Sequence, residues 1–225
     1  MKKKTDRKQL VAFNDPNSPV SEQFKTIRAG IDFSSIDSTF KTILITSPEA
    51  GSGKSTISAN LAIVYAQQGK KTLLIDADLR KPTIHKTFSK NLYTGLSAVL
   101  TDEISLEESY QPTEVENLFV LTSGAIPPNP NEMLSSKKMS SVLEELQQQF
   151  DLIIIDTSPI TIVSDALVLA PQSDGVILVT RFGSSLKERT KQAAEQIRMT
   201  RAPIIGAVLN GVTEKKSNYY YYAYK

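Results

Sequence analysis

Six short apolar runs, separated by segments of helical character, predict an α/β fold: a doubly wound, mostly parallel sheet flanked by helices on both faces. Three observations carry this expectation. The runs are continuously apolar rather than alternating, as strands read when both faces are buried. They alternate with helical patterns along the chain, as the crossovers of parallel strands require. The first run breaks into Gly51-Ser52-Gly53-Lys54-Ser55, and two later ones end in aspartate, so polar groups collect at one end of the sheet.

Taken in order, residues 1 to about 20 are polar, with Lys2, Lys3, Lys4, Arg7 and Lys8 ahead of Pro16 and Pro19, and read as a flexible basic arm. Such an arm is either a solvated tail or an attraction to an anionic surface. Ser21 to Phe33 places Phe24, Ile27 and Ile31 on one helical face with Ser21 as N-cap. Beside that face, Glu22, Lys25 and Arg28 recur every three residues as a charged stripe, either a solvated ion-paired face or a subunit contact.

Ile43-Leu44-Ile45-Thr46 is the first strand, followed by a helix over 54 to 68 that Gly69 closes. Lys71 to Asp76 is the second strand. Leu96 to Leu100 and Leu106 to Tyr110 read as short helices, and Leu118 to Thr122 as the third strand. Ser123 to Pro130 is too rich in proline for regular structure. Glu132 to Gln149 reads as one helix with Met133, Leu134, Met139, Val142, Leu143 and Leu146 as its apolar set. Strand Leu152 to Asp156, a short helix from Ser164, strand Gly175 to Thr180, a helix over 185 to 201 and strand Ile204 to Asn210 complete the domain at about residue 214. The stretch 215–225 leaves the core pattern and carries five of the chain's eight tyrosines, Tyr219, Tyr220, Tyr221, Tyr222 and Tyr224.

Composition narrows the chemistry. The chain has 225 residues, 40% apolar and 22% charged, which suits one soluble domain with tails. No run approaches the roughly 20 apolar residues of a membrane span, and no apolar signal core follows the N-terminal lysines, so a cytoplasmic location is expected. Without cysteine there is no disulfide framework, thiolate zinc site or cysteine nucleophile. A single histidine, His85, gives no support to histidine-rich metal sites or most Ser-His-Asp schemes, and a net charge of +2 does not argue for a nucleic-acid partner.

Strand, small-residue loop, Gly-Lys-Ser and helix is the order of a P-loop, although Pro48 stands where the pattern has its first glycine. Backbone amides of Ala50, Gly51, Ser52, Gly53 and Thr56, with the positive end of the helix, would cradle a polyphosphate; Lys54 would reach its outer phosphates and Ser55 ligate magnesium. In an open α/β sheet, Asp76, Asp78 and Asp156 converge on that loop from neighbouring strand ends. A hydroxyl and carboxylates beside a triphosphate suit Mg2+, which takes oxygen ligands and keeps several waters. Asp76 is then a candidate base, Asp78 a holder of metal-bound water, and Arg80 a partner for the acids or an acceptor. Asn210, at the last strand's end, is either an adenine contact or a turn residue.

These blocks, in the order Pro48 to Thr56, Leu73 to Pro82, Gly124 to Glu132, Ile155 to Pro159 and the tyrosine tail, resemble the bacterial tyrosine kinases of capsule and exopolysaccharide synthesis. The similarity runs from Ser21 onward. It implies a P-loop kinase domain using ATP and Mg2+, with Lys54, Asp76, Asp78 and Arg80 at the reacting centre. It further implies trans-autophosphorylation of the tail tyrosines, a ring assembled through the Glu22, Lys25 and Arg28 helix, and a transmembrane activator that recruits the chain to the inner face of the membrane. Lys25 stands where that family commonly has arginine, and Ser158 where it has a second proline. Partitioning ATPases share the sheet and the acids but carry a signature lysine where this chain has Glu49. A nucleotide-gated scaffold, in which occupancy controls assembly, remains the alternative from another class.

Overall fold

The computed structural model describes residues 9–34 and 40–212. Seven strands form one sheet: β1 (Thr42–Thr46), β2 (Thr72–Asp76), β3 (Tyr110–Pro112), β4 (Leu118–Leu121), β5 (Leu152–Asp156), β6 (Gly175–Arg181) and β7 (Ile204–Asn210), in the order β3-β4-β2-β5-β1-β6-β7. All pair in parallel except β3, which runs antiparallel to β4. The strands β1, β2 and β5 are buried at every position, which is why they read as unbroken apolar runs. Alternate side chains serve two cores. Leu44, Leu73, Ile75, Ile153 and Ile155 face one helical layer, whereas Ile43, Ile45, Leu74 and Ile154 face the other.

The helices are α1 (Val11–Asn14), α2 (Pro19–Ser34), α3 (Lys54–Ala66), α4 (Ile84–Thr87), α5 (Leu96–Leu100), α6 (Leu106–Ser109), α7 (Pro130–Leu134), α8 (Lys137–Gln149), α9 (Asp165–Leu169) and α10 (Lys187–Met199). Helix α3 is buried along nearly its whole length, because the sheet covers one side and α1 and α2 pack against it from the other.

Several expectations from the sequence need correction. The arm expected over residues 1–20 is docked from Gln9 onward. Leu10 and Ala12 are buried, the buried Asn60 carboxamide accepts from the Ala12 amide (2.9 Å) and donates to the Gln9 carbonyl (2.7 Å), and Gln67 donates to the Ala12 carbonyl (3.1 Å). The basic run Lys2 to Lys8 lies outside the described residues. Ser21 is not the cap of α2: it is buried inside the helix with its hydroxyl donating to the Asp15 carbonyl (2.7 Å), while Ser18 accepts from the Ser21 amide (3.2 Å). The single helix expected over Glu132 to Gln149 is two, α7 and α8, because Ser136 turns out of the helix and caps α8 by accepting from the Met139 amide (3.2 Å). The helix expected to reach Tyr110 stops at Ser109, and Tyr110 opens the edge strand β3, held by edge-on contacts with Phe119 and Phe150.

Asn60 ties the N-terminal strap to the P-loop helix. Replacing it with leucine strands the buried Ala12 amide, so Asn60→Leu is expected to cost about 1–3 kcal/mol. Urea unfolding reads the loss; limited proteolysis should show cleavage within residues 9–18 well before the core is cut, and an unchanged urea midpoint would contradict this role for Asn60.

Candidate nucleotide and phosphoryl-transfer site

The strand order places β5 between β2 and β1, so Asp156 sits beside both the end of β2 and the loop leaving β1. It is in register with Asp76 on one side and Ile45 on the other. The loop between β1 and α3 turns through Gly51 (φ 78°) and Gly53 (φ 93°), left-handed positions that favour glycine. Position 48 has no such requirement, which accounts for proline there. A Cβ at Gly53 would fall 2.1 Å from Asn210 Nδ2.

The loop's carbonyls are tied down by the protein, leaving its amides for a ligand. Asn210 Nδ2 donates to the Ser52 carbonyl (2.9 Å), Arg181 to that of Gly51 (3.0 Å), and the Ser47 and Ser52 hydroxyls both to that of Glu49 (2.7 and 2.9 Å). Thr161 donates to the Pro48 carbonyl. Asn210 is thus a brace for the loop in this structure. Glu49, where partitioning ATPases carry their signature lysine, pairs with Arg189 at 3.4 Å.

Lys54 opens α3 and is 7% exposed. Ser58 donates to Asp156 Oδ1 at 3.0 Å, and the Ser55 hydroxyl is close enough to the same carboxylate to favour its charged form. Asp76 Oδ2 accepts from the Thr83 and Ile84 amides, each at 3.0 Å. The remaining oxygens, Asp76 Oδ1 and Asp156 Oδ2, are buried with no partner. Burial and the neighbouring Asp156 carboxylate raise the pKa of Asp76 well above the usual carboxylate range. Burial raises that of Asp156 to about 6, opposed by the positive charge of Lys54 and the two serine hydroxyls.

Among the described residues, no three Asp, Glu, His or Cys side chains come close enough together to hold a metal. The trio Asp76, Asp78 and Asp156 is therefore not a protein-only cage; the expectation from the sequence is of a hydroxyl and carboxylates beside a triphosphate. Two orphaned buried carboxylate oxygens beside a hydroxyl still match the donor chemistry of Mg2+, whose shell would be completed by water and phosphate oxygen.

A cavity of about 400 Å³ opens over the loop, with Lys54, Ser55 and Asp78 in its lining, while Asp76 and Asp156 are buried outside that lining. Ala50, Gly51, Gly53, Lys54, Ser55 and Thr56 line it from the loop, and Asp78, Lys81, Thr83, Lys86 and Thr87 from the segment after β2. Lys81, Lys86 and Gln9 were not among the sequence candidates. The signal for the lysines lay in Arg80-Lys81-Pro82-Thr83-Ile84-His85-Lys86, a basic run directly following the acids. Gln9 carried none, since its place depends on Thr56 Oγ1, which donates to its side chain at 3.2 Å.

Arg80 turns away from Asp76 and makes a bidentate pair with the buried Asp165 at the start of α9, at 2.7 and 3.1 Å. It is a structural ion pair here rather than a group at the reacting centre. Removing the guanidinium leaves Asp165 buried with only Asn131 and Ser158 nearby, at 3.4 and 3.3 Å. Arg80 is itself 40% exposed, so solvent screening trims the penalty. Arg80→Ala is expected to destabilise the fold by about 1.5–3 kcal/mol, and Asp165→Asn by less. Chemical denaturation of both variants checks the order.

Glu22 and Lys25 pair within α2 at 2.7 Å, and Arg28 Nε is buried without a partner. The tail tyrosines Tyr219, Tyr220, Tyr221, Tyr222 and Tyr224 lie outside the described residues.

A parallel sheet with a glycine loop, a buried lysine and paired acidic strand ends defines a P-loop nucleotide-binding protein. Comparison with known proteins takes this further. The AAA domain family matches residues 40–200. Tyrosine-protein kinase YwqD of Bacillus subtilis (strain 168) is 46% identical over 220 residues, covering 97% of this chain and 93% of that protein. The kinase domain of Escherichia coli tyrosine kinase ETK superposes with a TM-score of 0.89 at 33% identity, over 96% of this chain and 84% of that one. The septum site-determining protein MinD of Pyrococcus horikoshii OT3, complexed with Mg-ADP, follows at a TM-score of 0.65 and 26% identity, over 75% of this chain and 69% of that one. The chain belongs to the bacterial tyrosine kinases, and it is a tyrosine kinase on a P-loop fold.

Proposed function

We propose that the protein transfers the γ-phosphoryl group of MgATP to the tyrosines of its own C-terminal tail, in trans between subunits, as the catalytic partner of a transmembrane activator in capsule or exopolysaccharide synthesis. The observation that carries this reading is a cavity lined by Lys54, Ser55 and Asp78, next to the strand ends where Asp76 and Asp156 stand in register, with a cluster of five tyrosines in the same chain.

In the proposed step the bond between the γ-phosphorus and the β–γ bridging oxygen breaks, its electron pair leaving with ADP. A new bond forms between that phosphorus and the tyrosine Oη, and the phenolic proton passes to ionised Asp76 and then to solvent. Lys54 and the loop amides stabilise charge on the phosphoryl oxygens, aided by amides held rigid through Asn210, Arg181 and Thr161. The raised proton affinity of Asp76 brings it closer to that of a phenol, which suits a base for tyrosine. Bound Mg2+, held by Ser55 and through water by the acids, would neutralise charge on the phosphates.

Assembly through Glu22, Lys25 and Arg28 of α2, and recruitment by the activator to the inner face of the membrane, belong to the same proposal. No helix among the described residues is long and apolar enough to cross a membrane, so a membrane role calls for such a partner. Phosphorylating all five tyrosines would add about −7 to −10 of charge, enough to weaken subunit contacts and make the tail an assembly switch.

The test incubates the protein with MgATP and the cytoplasmic segment of a candidate activator, then maps phosphate by mass spectrometry. Phosphate on the peptide 218–225 supports the reading; ATP hydrolysis with unmodified tyrosines would favour the nucleotide-gated switch instead. For the ring, light scattering of Glu22→Ala/Lys25→Ala/Arg28→Ala suffices, an unchanged mass removing the stripe from the interface.

A further inference from the structure

The cavity over the P-loop holds more positive charge than one polyphosphate cradle needs. Lys54 emerges from the loop, where backbone amides already face the ligand. Lys81 and Lys86 enter from the segment after β2, the same segment that carries Asp78 and whose Thr83 and Ile84 amides orient Asp76. Both are exposed, and no ion pair among the described residues engages either ammonium. The Asp78 carboxylate, the nearest acid of the segment, instead accepts from the Lys81 backbone amide at 3.1 Å. Two cations with no ion-pair partner among the described residues therefore line the cavity on the segment whose amides hold Asp76.

The acceptor explains what such cations would meet. Tyr219, Tyr220, Tyr221 and Tyr222 are consecutive, with Tyr224 one residue beyond. In an extended chain successive side chains point to opposite faces, so residues two apart share a face at roughly 6.6–7.2 Å from each other. After one transfer, a phosphate carrying about −1.5 to −2 of charge stands on the same face as the hydroxyl two residues along, roughly that distance away. An acceptor subsite without cations would repel that product from the ATP phosphates. We infer that Lys81 and Lys86 form an acceptor subsite that binds a phosphotyrosine two residues from the tyrosine being modified, so that the kinase prefers a tail already carrying phosphate. This rests on the tail being the acceptor. It adds a substrate preference and a consequence, because phosphorylation then runs along the cluster rather than scattering among unmodified tails.

The subsite's strength follows from its exposure. Solvent-exposed ammonium–phosphate contacts are worth a modest amount each, so two together should favour the phosphorylated tail by about 5–10-fold. Asp78 opposes the phosphate and keeps the preference from being larger.

The test measures binding, separate from turnover. Fluorescein-labelled peptides of sequence 218–225, either unmodified or phosphorylated at Tyr222, are titrated by anisotropy with the full chain. Saturating magnesium and a non-hydrolysable ATP analogue are present, so no phosphate moves in either direction. The expected result is about 5–10-fold tighter binding of the phosphorylated peptide, a preference that shrinks with added salt and falls below about twofold in Lys81→Ala/Lys86→Ala. Each single variant should fall between. Equal affinity of the two peptides for the unaltered chain would overturn the inference while leaving the acceptor reading intact. So would a double variant that keeps the preference but binds the analogue more weakly, since the lysines would then belong to the nucleotide. Binding of neither peptide would remove the acceptor reading and this inference with it. Thermal melting of the double variant in parallel guards against misfolding.

Discussion

Lys54→Met is expected to lower phosphoryl transfer at least about 100-fold while the chain stays folded. Lys54 is the first residue of α3 and almost fully enclosed, at the floor of the cavity that the loop amides line. Methionine keeps most of the apolar stem and removes only the charge aimed at the phosphates. Losing one pre-positioned stabiliser of a developing negative charge typically costs 10²–10³ in rate. The same change withdraws the cation that opposes the raised pKa of Asp156, so the buried acid pair should bind its protons more tightly still. Initial rates of phosphate incorporation, with a thermal melt beside them, separate this from unfolding. A variant within about tenfold of the unaltered rate would remove Lys54 from the reacting centre.

The second large effect concerns Asp76. In the absence of nucleotide and metal, Asp76→Asn is expected to stabilise the fold at pH 7 and to abolish most transfer. The carboxyls of Asp76 and Asp156 are in register on adjacent strands, both fully buried, each with one oxygen unpartnered. Both bind protons more tightly folded than unfolded, Asp156 rising from 3.8 to about 6 and Asp76 well above its ordinary value. Between about pH 4 and the folded pKa values the native chain therefore holds more protons than the unfolded one. Stability falls as pH rises through that window, and the cost is fully present above it. For Asp156 alone the shift corresponds to about 3 kcal/mol. Asparagine keeps an acceptor for the Thr83 and Ile84 amides and supplies a donor toward Asp156, so about 1–3 kcal/mol should return at pH 7. Urea midpoints at pH 5 and pH 7 check both parts. The unaltered chain should be the more stable at the lower pH, and the variant should lose most of that difference. An Asp76→Asn chain less stable than its parent at pH 7 would contradict the account of the pair.

Such strain at the centre of a sheet is what a site for charged ligands costs the fold. It also explains which parts were legible in the sequence. Strands buried on both faces must be apolar throughout, so β1, β2, β5 and β6 stood out, and against them stood the acidic ends Asp76 and Asp156 and the loop that leads from β1 to Lys54. What escaped depends on contacts between residues far apart in the chain. The strap at Leu10 and Ala12 reads as polar tail until Asn60 and Gln67 supply its partners. Arg80 could have faced the acids, and only the packing of α9 brings Asp165 to it. Asn210 reads from the sequence as either an adenine contact or a turn residue, and the bond from its amide to the Ser52 carbonyl becomes visible only when β7 is brought beside the loop. Short elements also escaped: β3 spans three residues, too few for a period to register, and one serine hydroxyl at Ser136 divides α7 from α8.

The central claim, transfer from one subunit's nucleotide to another's tail, is tested most directly by mixing two altered chains. One carries Lys54→Met with its tail intact; the other keeps Lys54 and has all five tail tyrosines changed to phenylalanine. Incubated together with MgATP and the activator segment, and resolved by mass, they are expected to show phosphate on the tail of the Lys54→Met chain alone. ATP consumption by the mixture with no phosphate on either tail would contradict the claim.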